Sequence, residues 1–203
     1  MTSTFDCIIP IGESCNITFL LQNCKLKKQT SLFEWFVSNN LKTITSVLVK
    51  IGNNTDTDII KDGGPHTYIE NNTIYSGHYK HTDFKEIYNR RRNRLVECIS
   101  NNNRLLFVRF EYSHIIYDTN DIDEFINAIK HINPSCDVKL LLISPIETQI
   151  KHPSIIPAFY DKQFSDPYCT GKEINEFFVN TLQTIGYNIH DILDAKFTDS
   201  SEL

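Results

Sequence analysis

Apolar and polar residues come in alternating blocks along this chain. Residues 5–11, Phe-Asp-Cys-Ile-Ile-Pro-Ile, form a short, mostly apolar run that predicts a buried strand. Gly12-Glu13-Ser14 reads as a tight turn, and Ile17, Leu20, Leu21 and Cys24 then fall at i, i+3, i+4 and i+7, predicting a helix over about 16–26. An aromatic knot follows in Ser31-Leu32-Phe33-Glu34-Trp35-Phe36. Leu41, Ile44, Val47 and Leu48 then share one face of a helix over 40–51 that Asn53-Asn54 ends. Residues 54–64 are polar and close on Gly63-Gly64-Pro65, a loop. Two short apolar pairs, Tyr68-Ile69 and Ile74-Tyr75, flank Glu70-Asn71-Asn72 and predict a hairpin at 66–78.

The second half repeats a simpler rhythm. Phe84, Ile87, Tyr88, Leu95 and Cys98 line a helix over 84–99, with Arg91 inside the apolar stripe. Residues 105–110 are nearly all apolar, as a strand covered on both faces requires. Asp121 and Glu124 open a helix carrying Ile122, Phe125, Ile126 and Ile129, which Asn133-Pro134 ends. Strands follow at 138–143 and 155–160, the latter weakened by Pro157. A last helix starts at Thr170 with Glu173 and stops at Gly186. Strand, helix, strand, helix predicts one α/β domain over 1–203. Its architecture is a three-layer sandwich on a mainly parallel sheet, of Rossmann-like or SGNH-like order, with the 66–78 hairpin inserted. Ligands of such sheets collect beyond the carboxyl ends of the strands.

Composition narrows the class without choosing a chemistry. A net charge of −5 leaves no global basic field for nucleic acid. No stretch approaches the roughly 20 apolar residues of a membrane span, and the N-terminus lacks a positive, apolar leader, so an intracellular setting is expected. The six cysteines are scattered with no C-x-x-C pair, which argues against a zinc site or a disulfide framework. Cys7, Cys24, Cys98 and Cys136 lie in or beside apolar segments and read as small core residues. Asp118, Asp121 and Asp123 read as helix capping, so neither a metal nor another cofactor is implied.

Cys15 carries the sharpest chemical signal. It lies where the first strand becomes a helix, facing unpaired backbone N–H groups that favour thiolate. The bland alternative is a structural thiol. A nucleophilic cysteine needs a base, and sequence alone does not choose among His66, His78, His81, His114, His131, His152 and His190. Arg91 and Arg109 sit in apolar surroundings, so each needs an anionic or carbonyl partner. Together they define a non-catalytic alternative, the capture of an anionic ligand. Trp35 is a candidate substrate platform, although aromatics at that density more often form core. Gly12-Glu13-Ser14 after a strand also resembles the G-D-S turn of SGNH-type esterases, which makes Ser14 an alternative nucleophile. Their D-x-x-H block is missing, since Tyr187 stands three residues before His190.

Three short matches point to one family. They are Ile11-Gly12-Glu13-Ser14-Cys15 with its helix and Ser31-Leu32-Phe33-Glu34-Trp35; His81-Thr82-Asp83-Phe84 with Arg90-Arg91-Arg92; and the strand Leu105-Leu106-Phe107-Val108-Arg109. This half of the chain resembles the DUF1796 family, labelled papain-like cysteine peptidase, in which G-x-x-C precedes P-F-D-W. Here Leu32 replaces the proline and Glu34 the aspartate. The resemblance implies a cysteine-dependent hydrolase or acyl transferase acting on a peptide, acyl or small-molecule substrate. Cys15 is then the nucleophile and His81 the base that accepts and returns the proton; His78, three residues away, is a substitute for that base, and Asp83, the nearest carboxylate in sequence, is the group expected to orient His81. Papain-like folds are α+β, whereas the rhythm of this chain is α/β, and the two expectations conflict.

Overall fold

The computed structural model describes residues 5–27, 29–57, 59–61, 67–69, 74–76, 84–112, 117–161 and 170–187. The order is β1 (Cys7–Pro10), α1 (Asn16–Asn23), β2 (Val37–Ser38), α2 (Leu41–Gly52), β3 (Ile59–Lys61), β4 (Thr67–Ile69) and β5 (Ile74–Ser76). It continues with α3 (Phe84–Asn101), β6 (Arg104–Phe110), α4 (Thr119–Ile132), β7 (Asp137–Ser144), β8 (Ile155–Phe159) and α5 (Lys172–Thr184).

The main sheet runs β1-β6-β7-β8, every neighbouring pair parallel. Register places Ile9 beside Phe107, Phe107 beside Leu140, and Leu140 beside Ile155. Parallel strands need crossovers: helices lie between β1 and β6 and between β6 and β7, whereas residues 145–154 join β7 to β8 without a helix. Alternate side chains of β6 enter two separate clusters. Leu105 and Phe107 pack with Ile44 and Leu48 of α2, Leu95 and Ile99 of α3, and Phe125 and Ile129 of α4. Leu106, Val108 and Phe110 pack with Ile17 and Leu20 of α1 and Phe178 and Leu182 of α5. Helices therefore cover both faces of this sheet, which explains why β6 and β7 read as continuous apolar runs. This is an α/β fold, not the α+β arrangement of a papain-like enzyme. Strand order passes without reversal from β1 at one edge to β8 at the other. Pro157 is accommodated because β8 is an edge strand among the described residues.

The hairpin expected at 66–78 is β4 and β5, paired antiparallel with Ile69 opposite Ile74. It belongs to a larger antiparallel sheet of order β2-β5-β4-β3. Strands of two and three residues, such as β2 and β3, carry no readable period, so the pattern gave no sign of them.

Helix ends differ from expectation in instructive ways. Asn40 caps α2 by accepting from the Thr43 N–H at 3.0 Å. Asp118, not Asp121, caps α4, accepting from the Asp121 N–H at 2.8 Å. Polar Thr119 and Asn120 fill the first turn, so the apolar period starts late. Gly171 rather than Thr170 precedes α5, and Gly186 ends it at φ 83°. Cys7 and Cys98, expected to be separate core thiols, are joined as a disulfide between β1 and α3. Their separation of 91 residues hid the pairing, because a single bridge leaves no spacing motif. Among the described residues no helix is long and apolar enough to cross a membrane.

Candidate functional site

The chain leaves β1 in a turn clamped to the end of β6. The Ile11 N–H donates to Val108 O at 2.9 Å and the Glu13 N–H to Phe110 O at 3.2 Å. Gly12 is required by close approach, since a Cβ there would lie 2.6 Å from Ile17 Cγ2 and 2.9 Å from the Ser14 carbonyl oxygen. Cys15 is the N-cap of α1, and its carbonyl accepts from Thr18 and Phe19 at 2.9 and 3.2 Å. Its thiol is free and half-buried, and makes no side-chain cap. Burial pushes the Cys15 thiol above its ordinary value, only partly offset by its own backbone N–H. A helix start therefore does not suffice to make Cys15 a thiolate; a base is needed.

Neighbouring side chains fix the turn. Ser14 Oγ donates to Asn16 Oδ1 at 2.9 Å and accepts from the Asn16 N–H at 3.4 Å. Asn16, itself buried, donates through Nδ2 to the Tyr112 hydroxyl at 2.5 Å. Ser14 thus serves the local geometry of the helix start. His190, the partner an SGNH reading needs, lies outside the described residues.

Beneath the turn is a buried polar hub. Arg109 is fully buried. Its Nε donates to Glu111 Oε2 at 2.7 Å and to the Tyr117 hydroxyl at 2.9 Å. Nη1 donates to Ile11 O and Ser38 Oγ, both at 2.9 Å, and Nη2 to Ser38 O at 3.1 Å. Tyr117 also donates to Glu111 Oε2, and burial pushes its phenol up, so it remains a donor. Ser38 ties β2 to this hub: its hydroxyl donates to Gly12 O at 3.0 Å and its N–H to Glu13 O at 3.1 Å. One guanidinium thereby joins the end of β1, β6, the second sheet and the approach to α4. With its nitrogens occupied inside the protein, Arg109 offers no face to an anionic ligand.

Glu13 completes the hub on its outer side. Its Oε2 accepts the Tyr112 N–H at 2.6 Å, and its carboxyl meets that of Glu111. Burial and then the hydrogen bond with Glu111 push Glu13 up to about 7, against the lowering by the Tyr112 N–H. Glu111 Oε1 is buried and accepts no hydrogen bond from any nitrogen or hydroxyl among the described residues.

The aromatic knot is built on Glu34. This residue is 2% exposed, accepts the Ser31 N–H at 2.6 Å, and pairs with Lys27 at 2.9 Å. Burial raises its carboxyl, while Lys27 and the nearby Arg91 oppose the rise. Arg91 is buried and near enough to Glu34 to act on its carboxyl. Trp35 has φ 68°, a left-handed backbone that costs a bulky residue about 1–3 kcal/mol. Phe19 meets its ring edge-on at 5.1 Å, and Lys27 Nζ lies 5.2 Å from its centroid. The half-buried Trp35 ring is therefore packed on α1, the helix that Cys15 starts.

His78, His81 and Asp83 lie outside the described residues, as do His66 and His114. His131 packs against Gly52, and His152 is held by Asp123 at 3.2 Å and the Ser154 N–H at 3.1 Å. A cavity of about 90 Å³ runs along β1, lined also by Lys27, Glu34 and Tyr187, and neither Cys15 nor Glu13 lines it. Among the described residues no group of three or more His, Cys, Asp or Glu could hold a metal. Glu13, Glu111, Tyr117 and Ser38 were not singled out from sequence. One signal could have found Glu111: it stands two residues beyond Arg109, on the same face of the strand. Comparisons of this chain with protein-family models, curated proteins and solved structures find no match in any of the three.

Proposed function

We propose that this protein is a cysteine-dependent hydrolase or acyl transferase in which Cys15 attacks a carbonyl carbon. The supporting observation is a free, half-buried thiol at the N-cap of α1, just past the carboxyl end of β1. That is where α/β sheets collect ligands. Backbone N–H groups of the first turn of α1 are suited to stabilise an oxyanion there. Because burial raises the thiol, the reaction needs a base; the DUF1796 resemblance favours His81 for that task, and Asp83, the nearest carboxylate in sequence, orients it. His81 takes the thiol proton and returns it to sulfur at the end of the cycle. Peptide, acyl and small-molecule substrates all fit this chemistry.

Iodoacetamide labelling at pH 7, followed by peptide mass mapping, tests the reading. Cys15 is expected to label at least tenfold faster than Cys24, which burial pushes up to about 11, and faster than buried Cys136. His81→Ala should abolish the advantage. Equal, sluggish labelling of all three thiols, indifferent to that substitution, would sink it.

A further inference from the structure

We propose that Glu13 is a second acid–base group of the Cys15 site, holding a proton against Glu111 and passing it to the leaving group of the substrate. The inference rests on the Cys15 reading above, but its first premise, where the proton sits, is independent of that reading.

Start from Glu111. It is 2% exposed, and one of its oxygens, Oε1, has no N–H or hydroxyl to accept from among the described residues. An orphaned buried carboxyl oxygen is costly. The group that meets Glu111 is the Glu13 carboxyl, and two like charges in contact are costly as well. One proton removes both penalties: carried by Glu13, it is donated to Glu111. Among the described residues the other charged and titratable groups here are Arg109, which already pairs with Glu111, and the Tyr117 and Tyr112 phenols. Arg109 neutralises one carboxylate only, so the second acid keeps its proton near neutral pH. Burial and the Glu111 contact place its titration at about 7, where a group can both give and take a proton.

Position then supplies the role. Glu13 and Cys15 flank Ser14 on one turn, and both sides of that turn converge on Tyr112. Its N–H holds the Glu13 carboxyl, while its hydroxyl accepts from Asn16, the residue after Cys15. Glu111 is sealed, but Glu13 is only partly buried, so Glu13 is the member of the pair that a bound substrate can reach. The bookkeeping of protons closes as follows. The thiol proton goes to His81, the sulfur–carbon bond forms, and the bond from carbon to the leaving group breaks as that group takes the proton of Glu13. Water then attacks the thioester and gives a proton to the Glu13 carboxylate. The sulfur–carbon bond breaks, and His81 reprotonates the sulfur. The net change is hydrolysis, with the enzyme restored.

Linkage fixes the sign of the effect on stability. The folded value of Glu13 lies above the ordinary value of 4.5, so the folded state holds the extra proton between about 4.5 and about 7. This contribution is complete below that window and is lost as pH rises through about 7. Glu13→Gln imitates the protonated acid, keeps a donor for Glu111 and should flatten that portion of the pH–stability curve.

Two measurements on the full chain decide the matter. Carboxyl ¹³C NMR of glutamate-labelled protein should show one carboxyl titrating near pH 7 that disappears in Glu13→Gln. Hydrolysis of aryl and alkyl acetates should separate the leaving groups. Compared as kcat/KM, which reports acylation and not the later hydrolysis of the shared acetyl-enzyme, p-nitrophenyl acetate needs no acid and should lose less than about threefold in the variant, whereas ethyl acetate should lose on the order of 100-fold. The wild-type rate on the poor leaving group should fall above pH 7, and the variant should lack that fall. No glutamate titrating above pH 6 overturns the shared proton. A loss equal across all leaving groups reduces Glu13 to a structural residue and overturns the catalytic role. If the esters are cleaved equally well by Cys15→Ala, the cysteine reading fails and the catalytic role with it, while the NMR result still stands or falls alone.

Discussion

Arg109→Met is expected to cost about 3–5 kcal/mol of stability, enough to remove much of what holds a domain of this size folded. The side chain is fully buried and serves five acceptors: Glu111, Tyr117, Ile11 O, Ser38 Oγ and Ser38 O. Methionine keeps an unbranched apolar stem but is two atoms shorter and donates nothing. Glu111 is then left as a buried carboxyl with no cation, and two backbone carbonyls lose a donor. Removing one partner of a buried pair is far worse than removing both, because the survivor keeps its desolvation penalty. Arg109→Met with Glu111→Leu should therefore be more stable than Arg109→Met alone, and the coupling energy in a double-mutant cycle should exceed about 1 kcal/mol. Arg109→Lys should fail to rescue, since one ammonium does not span the end of β1, Glu111 and β2. Urea unfolding of wild type, the two single variants of the cycle, the double variant and Arg109→Lys provides the comparison. A loss under about 1 kcal/mol for Arg109→Met would show that this hub contributes little.

The same residues show how far the sequence could be read. Helices α2, α3 and α4 and strands β6 and β7 carry long, regular apolar periods, and for them pattern and structure coincide within two residues at most ends. The parallel sheet follows from the alternation of such elements. What stayed hidden has short range in the pattern and long range in space. β2 has two residues, and its importance comes from Ser38 reaching Arg109 across 71 positions. The disulfide joins Cys7 to Cys98 across 91 positions. Periodicity reports which face of an element is buried; it does not report what that face meets.

At the candidate site, the need for partners was legible and their identity was not. A buried arginine announces an anion, and for Arg109 it is Glu111. That pair lies inside the protein, so Arg109 positions the turn instead of reaching for a ligand. Cys15 was visible because a strand, a glycine turn and a helix bracket it. Burial then works against its ionisation, an effect that depends on packing around the sulfur and has no signature in the local sequence.

That burial makes the second large prediction sharp. A thiol raised above its ordinary value supplies little thiolate at neutral pH, so any nucleophilic activity must vanish with either the sulfur or its base. Cys15→Ala should lower kcat/KM for p-nitrophenyl acetate on the order of 10⁴-fold, the scale seen when a covalent nucleophile is removed. His81→Ala should lower it by about 10²–10⁴-fold. The two losses should not add, since sulfur and imidazole act as one unit, and the double variant should resemble Cys15→Ala. Folding is not at risk in Cys15→Ala: the thiol is half-exposed and makes no side-chain cap to α1, so the melting temperature should move by only a few degrees. Ser14→Ala separates the esterase alternative. Its hydroxyl braces Asn16, so a modest loss is expected if Cys15 is the nucleophile, and a complete loss if Ser14 is. Activity of Cys15→Ala equal to wild type, together with an inert Ser14→Ala, would transfer the nucleophile to the serine and leave the buried hub as the scaffold of a different enzyme.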